Sequence, residues 1–182
     1  LDAARALSPG VWVARLDEIA AWWLARARAI VTCVDVAPGR YAIRVDGPPG
    51  TTVLGRAVEP TADTIPWDGT YRRIQAPEFE VMAASRPFIG LTARSATQLR
   101  AFLVEQGYVV ETTHEETAHE FILDWPEFEA TDRRPVLAAI EETRFPLVRL
   151  GRWPDGRRSA LAVTGDIDAL TLWDYGLRLF GR

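Results

Sequence analysis

Residues 29–84 form a series of short runs rich in β-branched and aromatic residues, and this stretch limits the fold more than any other. Glycine, proline and aspartate, which are typical of turns, occupy the segments between the runs. Short strands at this spacing are typical of antiparallel sheets, because each strand can reverse into the next through a short loop. The pattern therefore predicts an antiparallel sheet or a small β-sandwich. The runs are AIVTCVDV, RYAIRVD, TTVLGRAVE, TYRRIQA and EFEVMAA.

A different periodicity precedes this β-rich stretch. Val11–Val13 is predicted to be a short strand, and apolar residues at helical spacing follow over residues 16–27. Two consecutive tryptophans give this helix a large aromatic area, so we expect it to cover a larger element. The change of pattern predicts a boundary between residues 1–28 and a β-rich domain at residues 29–130.

A β-α-β element is predicted in the second half of that domain. The run PFIGLTA has the composition of a strand, the helical sequence ATQLRAFLVEQ follows, and YVVETT forms a second strand. Ser95 and Gln98 have the spacing of a helix-capping box, and Gly107 is placed to end the helix. This element adds parallel strands to an otherwise antiparallel system.

The segment 131–182 is predicted to contain a helix and a hairpin. Thr131 or Asp132 can cap a helix over RPVLAAIEET. The tripeptide PDG between two apolar runs is a strong turn signal, so Leu147–Leu150 is predicted to pair with residues 159–163. These elements together predict an α/β or α+β fold with a β-rich central domain.

The charge and cysteine content argue against several classes of protein. Acidic residues outnumber basic residues by 25 to 21, which is unfavourable for binding nucleic acid. No stretch approaches the roughly 20 apolar residues needed to span a bilayer. The single cysteine, Cys33, can form no internal disulfide and is expected to be a buried strand residue. We therefore expect a cytoplasmic protein with no leader in the given sequence, no membrane span and no nucleic-acid partner.

Two acids follow the apolar run SALAV. Asp166 and Asp168 lie in the motif TGDID, so their side chains point to the same side of an extended backbone. At the carboxyl end of a buried strand, such a pair can bind a metal ion and accept a proton from metal-bound water. The alternative is that either acid caps the helix predicted from Leu170 onwards.

Histidines and tryptophans provide further candidates. His114 and His119 lack the spacing of a helical metal site, and we expect both in a solvated loop. Trp67, in IPWDGTY, and Trp125, in LDWPEF, are expected in loops, where an exposed ring could stack on a sugar and bind substrate. The alternative for both tryptophans is packing beneath their loops.

Two separated segments resemble parts of the polysaccharide deacetylase family, the NodB-homology group of carbohydrate esterase family 4. RWPDGRRSALAVTGDIDALT is similar to the family's opening strand and its aspartate-rich signature. SPGVWVARLDEIAAWWLARA is similar to the family's closing strand and helix, so the order is inverted in this chain. The resemblance implies that residues 1–28 and the segment 131–182 contain pieces of a deformed (β/α) barrel that flank the β-rich domain.

The resemblance also implies an activity. Asp166 matches the family's catalytic base and Asp168 its metal ligand. The family uses a divalent ion, here expected to be zinc, to hydrolyse N-acetyl or related amide groups of a carbohydrate substrate. Its His-x-x-x-His pair, its Leu-His segment and most of its barrel have no counterpart in this sequence.

The chain is therefore expected to carry only part of an active site. It begins with Leu1 rather than Met, so an upstream part of the same polypeptide, or a second chain, is expected to supply the histidines. The opening-like segment could complete a barrel by circular permutation or belong to a degenerate second copy. The alternative function is a noncatalytic, β-rich module that binds carbohydrate or docks onto another domain.

Overall fold

The computed structural model describes residues 10–113 and 118–162. Within these two ranges the chain has a mixed α/β fold with 13 strands and three α-helices, which confirms the strand-rich class predicted from the sequence. The strands are β1 (Val11–Val13), β2 (Ile30–Ala37), β3 (Arg40–Asp46), β4 (Val53–Arg56), β5 (Glu59–Pro60), β6 (Thr64–Asp68), β7 (Tyr71–Ile74), β8 (Glu78–Met82), β9 (Ile89–Leu91), β10 (Val110–Thr112), β11 (Ile122–Leu123), β12 (Leu147–Leu150) and β13 (Ser159–Leu161). The helices are α1 (Leu16–Arg26), α2 (Thr97–Gln106) and α3 (Arg133–Glu142).

Two four-stranded antiparallel sheets form the centre of the fold. One has the order β2-β3-β8-β5 and the other the order β12-β4-β7-β6. The chain passes from one sheet to the other between β4 and β5, where Ala57 has a φ of 50°. Apolar side chains of both sheets share one core, which includes Ile43, Val53, Val81 and Val148. The predicted antiparallel pairing is confirmed, and the shared core makes the two sheets a small sandwich.

The sheet β12-β4-β7-β6 lies in the middle of the fold, because both faces of its strand β4 are buried. Successive residues of a strand point to opposite faces, and in β4 Val53 joins the core between the sheets while Leu54 joins a second core. The second core also contains Leu91, Leu103 and Ile140, which come from β9, α2 and α3. All four residues of β4 are buried, as expected of a strand that is covered on both faces.

A parallel sheet borders the second core. β9, α2 and β10 form the predicted β-α-β element, and β11 pairs with the other side of β9, which gives the order β10-β9-β11. Gly107 ends α2 with a φ of 100°, as predicted. A Cβ at this position would lie 2.1 Å from the carbonyl oxygen of Leu150, so only glycine allows this close approach.

The predicted capping box at the start of α2 is wrong. Ala96 is the N-cap residue, and no side chain caps the helix. The Ser95 hydroxyl instead donates to the carbonyl oxygen of Leu123 at 3.0 Å and accepts the backbone N–H of Trp125 at 3.2 Å. Ser95 therefore connects the loop after β9 to the loop after β11.

The predicted hairpin between Leu147–Leu150 and residues 159–163 is also wrong. β12 pairs antiparallel with β4, whereas β13 pairs in parallel with β1 in a separate two-stranded sheet. Pro154–Gly156 forms a 3-10 turn, and the hydroxyl of Thr52 accepts the N–H of Gly156 at 2.7 Å. Because the turn is bonded to a distant loop, it directs the chain toward β1 and does not reverse it onto β12.

Four tryptophans join β1 and α1 to the rest of the fold. The Trp12 ring centroid lies 6.3 Å from that of Trp22 and 6.2 Å from that of Trp153, and Trp23 meets Trp153 edge-on at 5.3 Å. The indole N–H of Trp22 donates to the carbonyl oxygen of Arg152 at 2.9 Å. Helix α1 thus packs on a larger element, as its tryptophans predict. The domain boundaries near residues 28 and 130 stay predictions.

Candidate functional site

The acids of the TGDID motif lie outside the described residues. Asp166 and Asp168 belong to the segment after residue 162, and His114 falls between residues 113 and 118. Their roles therefore stay predictions. Among the described residues, no three histidine, cysteine, aspartate or glutamate side chains are grouped so that they could hold a metal ion. The expected zinc site accordingly stays a prediction as well.

The carboxyl edge of the parallel sheet brings together polar side chains from separate loops. β9, β10 and β11 end at this edge, because the three strands run in the same direction. β10 and β11 lie on opposite sides of β9, and α/β sheets bind ligands at such a point, outside the carboxyl ends of the strands. The loop after β9 supplies Thr92, Arg94 and Ser95, and the loop after β11 supplies Asp124 and Trp125.

Asp124 is the acidic group at this edge. Its Oδ1 accepts the hydroxyl of Thr92 at 2.6 Å, and its Oδ2 pairs with the guanidinium of Arg94. The Thr92 hydroxyl and the Arg94 charge hold the pKa of Asp124 below its ordinary value. The carboxylate is therefore ionised at neutral pH, which suits hydrogen bonding to ligand hydroxyl groups and does not suit general-acid catalysis.

Trp125 is half-buried beside Asp124. Its side chain packs against the second core, and its carbonyl oxygen accepts the N–H of Ala96 at 2.9 Å, which holds it at the start of α2. An open depression of about 440 Å³ lies over residues 124–127. Within the described part of the chain, the indole N–H of Trp125 has no hydrogen-bond partner. Trp125 lines this depression, so the exposed part of its ring and its N–H are available to a ligand.

Trp67 lies in β6, so its predicted position in a loop is wrong. Its indole N–H donates to the carbonyl oxygen of Gly156 at 2.7 Å, and its ring meets Tyr71 edge-on with centroids 6.5 Å apart. The indole thus holds the turn that precedes β13. This arrangement favours packing for Trp67 and makes Trp125 the better candidate of the two for binding a sugar.

His119 is buried, so the solvated loop expected for it is wrong. Its side chain covers Gly90 of β9, where a Cβ would lie 3.2 Å from the Cβ of His119. Its Nε2 is hydrogen-bonded to Oε2 of Glu111 at 3.0 Å, and Nη2 of Arg86 donates to Oε1 of the same carboxylate at 2.8 Å. Burial alone would raise the pKa of Glu111, but these hydrogen bonds outweigh burial and lower it to about 2. Because Arg86 also donates to the carbonyl oxygen of Cys33, the cluster joins the parallel sheet to β2.

Glu141 in α3 is the centre of a second polar cluster. Its Oε1 accepts the hydroxyl of Tyr71 at 3.0 Å and Nη1 of Arg149 at 3.1 Å, and Tyr108 donates to the same oxygen. Its Oε2 accepts Nη1 of Arg56 at 3.2 Å. Burial raises the pKa of Tyr71 to about 12. The sequence did not predict this cluster, because its members come from four separate elements and from the segment between α2 and β10, and they share no spacing.

Comparisons of the chain with known protein families, with characterised proteins and with solved structures found no match. In the ranges 10–113 and 118–162, no helix is both long and apolar enough to cross a membrane.

Proposed function

We propose that this chain is part of a polysaccharide deacetylase-like hydrolase, which removes N-acetyl or related acyl groups from a carbohydrate. The parallel pairing of β1 with β13 is the observation that supports the proposal most directly. β1 belongs to the closing-like segment GVWVAR, and β13 belongs to the opening-like segment SALAVTGDID. In a closed (β/α) barrel the first and the last strands are parallel neighbours.

The register of β1 and β13 helps to distinguish a circularly permuted barrel from a degenerate second copy. Val11 lies opposite Ser159 and Val13 opposite Leu161, so the strands are aligned over their whole length. β1 leads into α1, as in a β/α unit. A degenerate second copy would not need a strand from the closing-like segment. The pairing therefore favours circular permutation, with the β-rich domain between the closing and the opening strands.

In this proposal Asp166 is the catalytic base, and Asp168 is a ligand of a divalent metal ion, expected to be zinc. Such an ion supplies an activated water molecule for amide hydrolysis when it is bound. The described residues contain no group of three ligands. The proposal therefore requires histidines from another part of the polypeptide or from a second chain.

The test compares aspartate variants of the natural polypeptide that contains this chain. Zinc content is measured by mass spectrometry, and acetate release is measured with acetylated chitooligosaccharides. We expect Asp166→Asn to lower acetate release by at least about 10²-fold, the loss typical of a missing general base. Asp168→Asn should lower it at least as much, because it removes a ligand of the metal ion. Asp168→Asn should also lose zinc.

Asp46→Asn is the matched control, because Asp46 is an exposed aspartate at the end of β3. It should retain both zinc and activity. Full acetate release by Asp166→Asn and Asp168→Asn would overturn the proposal. Wild-type protein that holds no zinc and releases no acetate would overturn it as well.

The carboxyl edge supports a second candidate function, a carbohydrate-binding module without catalysis. An indole face can stack on the apolar face of a sugar ring, and an ionised carboxylate beside it can accept sugar hydroxyl groups. Trp125 and Asp124 provide this combination at an open depression. This function needs none of the residues after 162.

Calorimetric titration with chitooligosaccharides tests the second function. Trp125→Ala should lower the affinity by at least about tenfold, because it removes the stacking surface. Trp67→Phe is the control, since it keeps the packing of an aromatic ring and should bind like the wild type. Equal affinities of Trp125→Ala and wild-type protein would exclude this edge as the sugar site.

A further inference from the structure

A cavity of about 440 Å³ lies between α1, α2 and the end of β12. This volume is within the range of small-molecule pockets, which is about 300–1,000 Å³. Arg26 lines the cavity. The other walls are mostly apolar and include Trp23, Ala27, Val31, Val104, Val110 and Leu150.

Arg26 brings a positive charge into this wall without an acidic partner. The residue is 6% exposed, its Nε donates to the carbonyl oxygen of Gly151 at 3.0 Å, and its Nη1 donates to that of Glu105 at 3.2 Å. Over residues 10–113 and 118–162, its Nη2 has no acceptor and its guanidinium has no carboxylate at ion-pair distance. Buried charges are normally paired, because an unpaired one is costly.

The neighbouring charges reinforce this imbalance. Burial and the charges of Arg152 and Arg149 lower the pKa of Arg26 to about 10, so Arg26 stays protonated at neutral pH. The carboxylate of Glu105 raises the pKa of Arg26, but by less. The two arginine charges outweigh the charge of Glu105 at Arg26, so the local potential favours an anion.

We propose that this cavity binds a small monocarboxylic acid with an apolar body. The carboxylate balances the charge of Arg26, which lines the cavity and has no acidic partner among the described residues. The hydrocarbon or aromatic body lies against Trp23, Val104 and Leu150. A phosphate or a sugar fits less well, because the apolar walls offer few hydrogen-bonding groups for several polar atoms.

The geometry around Arg26 shows how such a ligand fits. Val104, a wall residue of α2, is 49% exposed and marks the mouth of the cavity. Nη2 of Arg26 borders Gly107, where a Cβ would lie 2.9 Å from it. The same Cβ would lie 2.1 Å from the carbonyl oxygen of Leu150, so the chain itself fills this position. The ligand carboxylate therefore lies on the cavity side of Arg26 and balances its charge.

Calorimetry with octanoate, 1-octanol and acetate separates the contribution of the charge from that of the apolar body. We expect octanoate to bind with one-to-one stoichiometry and at least tenfold more tightly than 1-octanol. Acetate should bind too weakly to measure. Equal affinities for octanoate and 1-octanol, or no binding of octanoate, would contradict the proposal.

Variants locate the binding site. Arg26→Met should lower the octanoate affinity at least tenfold and leave the 1-octanol affinity unchanged. Because this variant also loses two hydrogen bonds to carbonyl groups, a second variant changes only the mouth. Val104→Asp places an acid there and should weaken octanoate binding about tenfold. Met82→Asp, at a position that is 60% exposed on β8, is the matched control and should bind like the wild type.

An octanoate affinity that is unchanged in both Arg26→Met and Val104→Asp would place the ligand elsewhere and overturn the proposal. The cavity shares no residue with the carboxyl edge or with the TGDID motif. Failure of this proposal would therefore leave both functions proposed above untouched.

Discussion

Arg26 and Arg56 are both buried, but among the described residues only Arg56 lies against a carboxylate. Nη1 of Arg56 is 3.2 Å from Oε2 of Glu141, and Arg149 shares the same side chain. Arg26 instead donates to two backbone carbonyl groups and borders a cavity. A buried arginine that has an acidic partner joins elements of the fold, whereas the charge of one without such a partner stays uncompensated.

Removal of the Glu141 carboxylate would convert the environment of Arg56 into one like that of Arg26. Glu141→Gln leaves the buried Arg56 and the partly buried Arg149 without this acid, and the free energy of unfolding should fall by about 2 kcal/mol, less than for a fully buried pair because the Glu141 side chain is 38% exposed. Urea unfolding measures this change. Glu142→Gln, at the exposed end of α3, is the control and should change stability by less than about 0.5 kcal/mol. A loss below about 1 kcal/mol for Glu141→Gln would show that the carboxylate is not what compensates these two charges.

Arg86 is an arginine in a third kind of environment. Its carboxylate partner, Glu111, also contacts His119. The pKa of Glu111 is lowered from 4.5 to about 2 in the folded chain, so the unfolded chain binds the proton more readily. The resulting stabilisation is complete above about pH 4.5 and is lost as the pH falls toward about 2. With allowance for partial exposure, we expect it to amount to about 2 kcal/mol.

Unfolding of wild-type protein and Glu111→Gln over this pH range tests the expectation. The two free energies of unfolding should differ at neutral pH and converge as the solution is acidified. A difference that stays constant down to pH 2.5 would show that the Glu111 carboxylate is not the titrating group.

Arg26→Met and Arg56→Met compare the two arginines directly. Arg56→Met removes a partner of Glu141, whereas Arg26→Met removes two hydrogen bonds together with an uncompensated charge. We expect Arg56→Met to lower the free energy of unfolding by at least about 1 kcal/mol more than Arg26→Met. Equal losses in guanidinium chloride unfolding would mean that the carbonyl groups around Arg26 compensate its charge as well as a carboxylate does.

The smallest effect is expected for an exposed arginine pair. Arg44 and Glu78 on β3 and β8 form an ion pair at 3.4 Å with side chains that are 70% and 72% exposed. Glu78→Gln should change the free energy of unfolding by less than about 0.5 kcal/mol. A larger loss would mean that pairing, and not burial, decides how much an arginine contributes here.

The parts of the fold that depend on local signals were predicted from the sequence. The alternation and turn residues of residues 29–84 predict the antiparallel strands, and Gly107 predicts the end of α2. The path of the chain after β12, which forms no hairpin with β13, was not predictable in this way. PDG is a strong local turn signal, but the turn is bonded to Thr52 and Trp67, which are far away in the sequence.

The candidate sites show the same difference between local signals and contacts that join distant parts of the sequence. Trp125 was predicted as a candidate because its local sequence, LDWPEF, was expected to form a loop in which the ring is exposed. Arg26 was not, because an arginine near the end of an amphipathic helix is normally exposed. Its side chain is held inside the fold by hydrogen bonds to the carbonyl oxygens of Glu105 in α2 and of Gly151 after β12. The burial of His119 was not predictable from its neighbours in the sequence. The room for its side chain comes from Gly90, which lies on β9 and has no side chain.

Stretching the chain would load the pair β1–β13 in shear. The chain enters the pair at the amino end of β1 and leaves it at the carboxyl end of β13, and the two strands are parallel. A force that separates residue 10 from residue 162 therefore pulls the strands past each other along their length. The evenly spaced hydrogen bonds of a parallel pair then share the load, whereas those of a hairpin pulled from its open end break one after another. This short pair is consequently a mechanical clamp on the β-rich domain that it encloses.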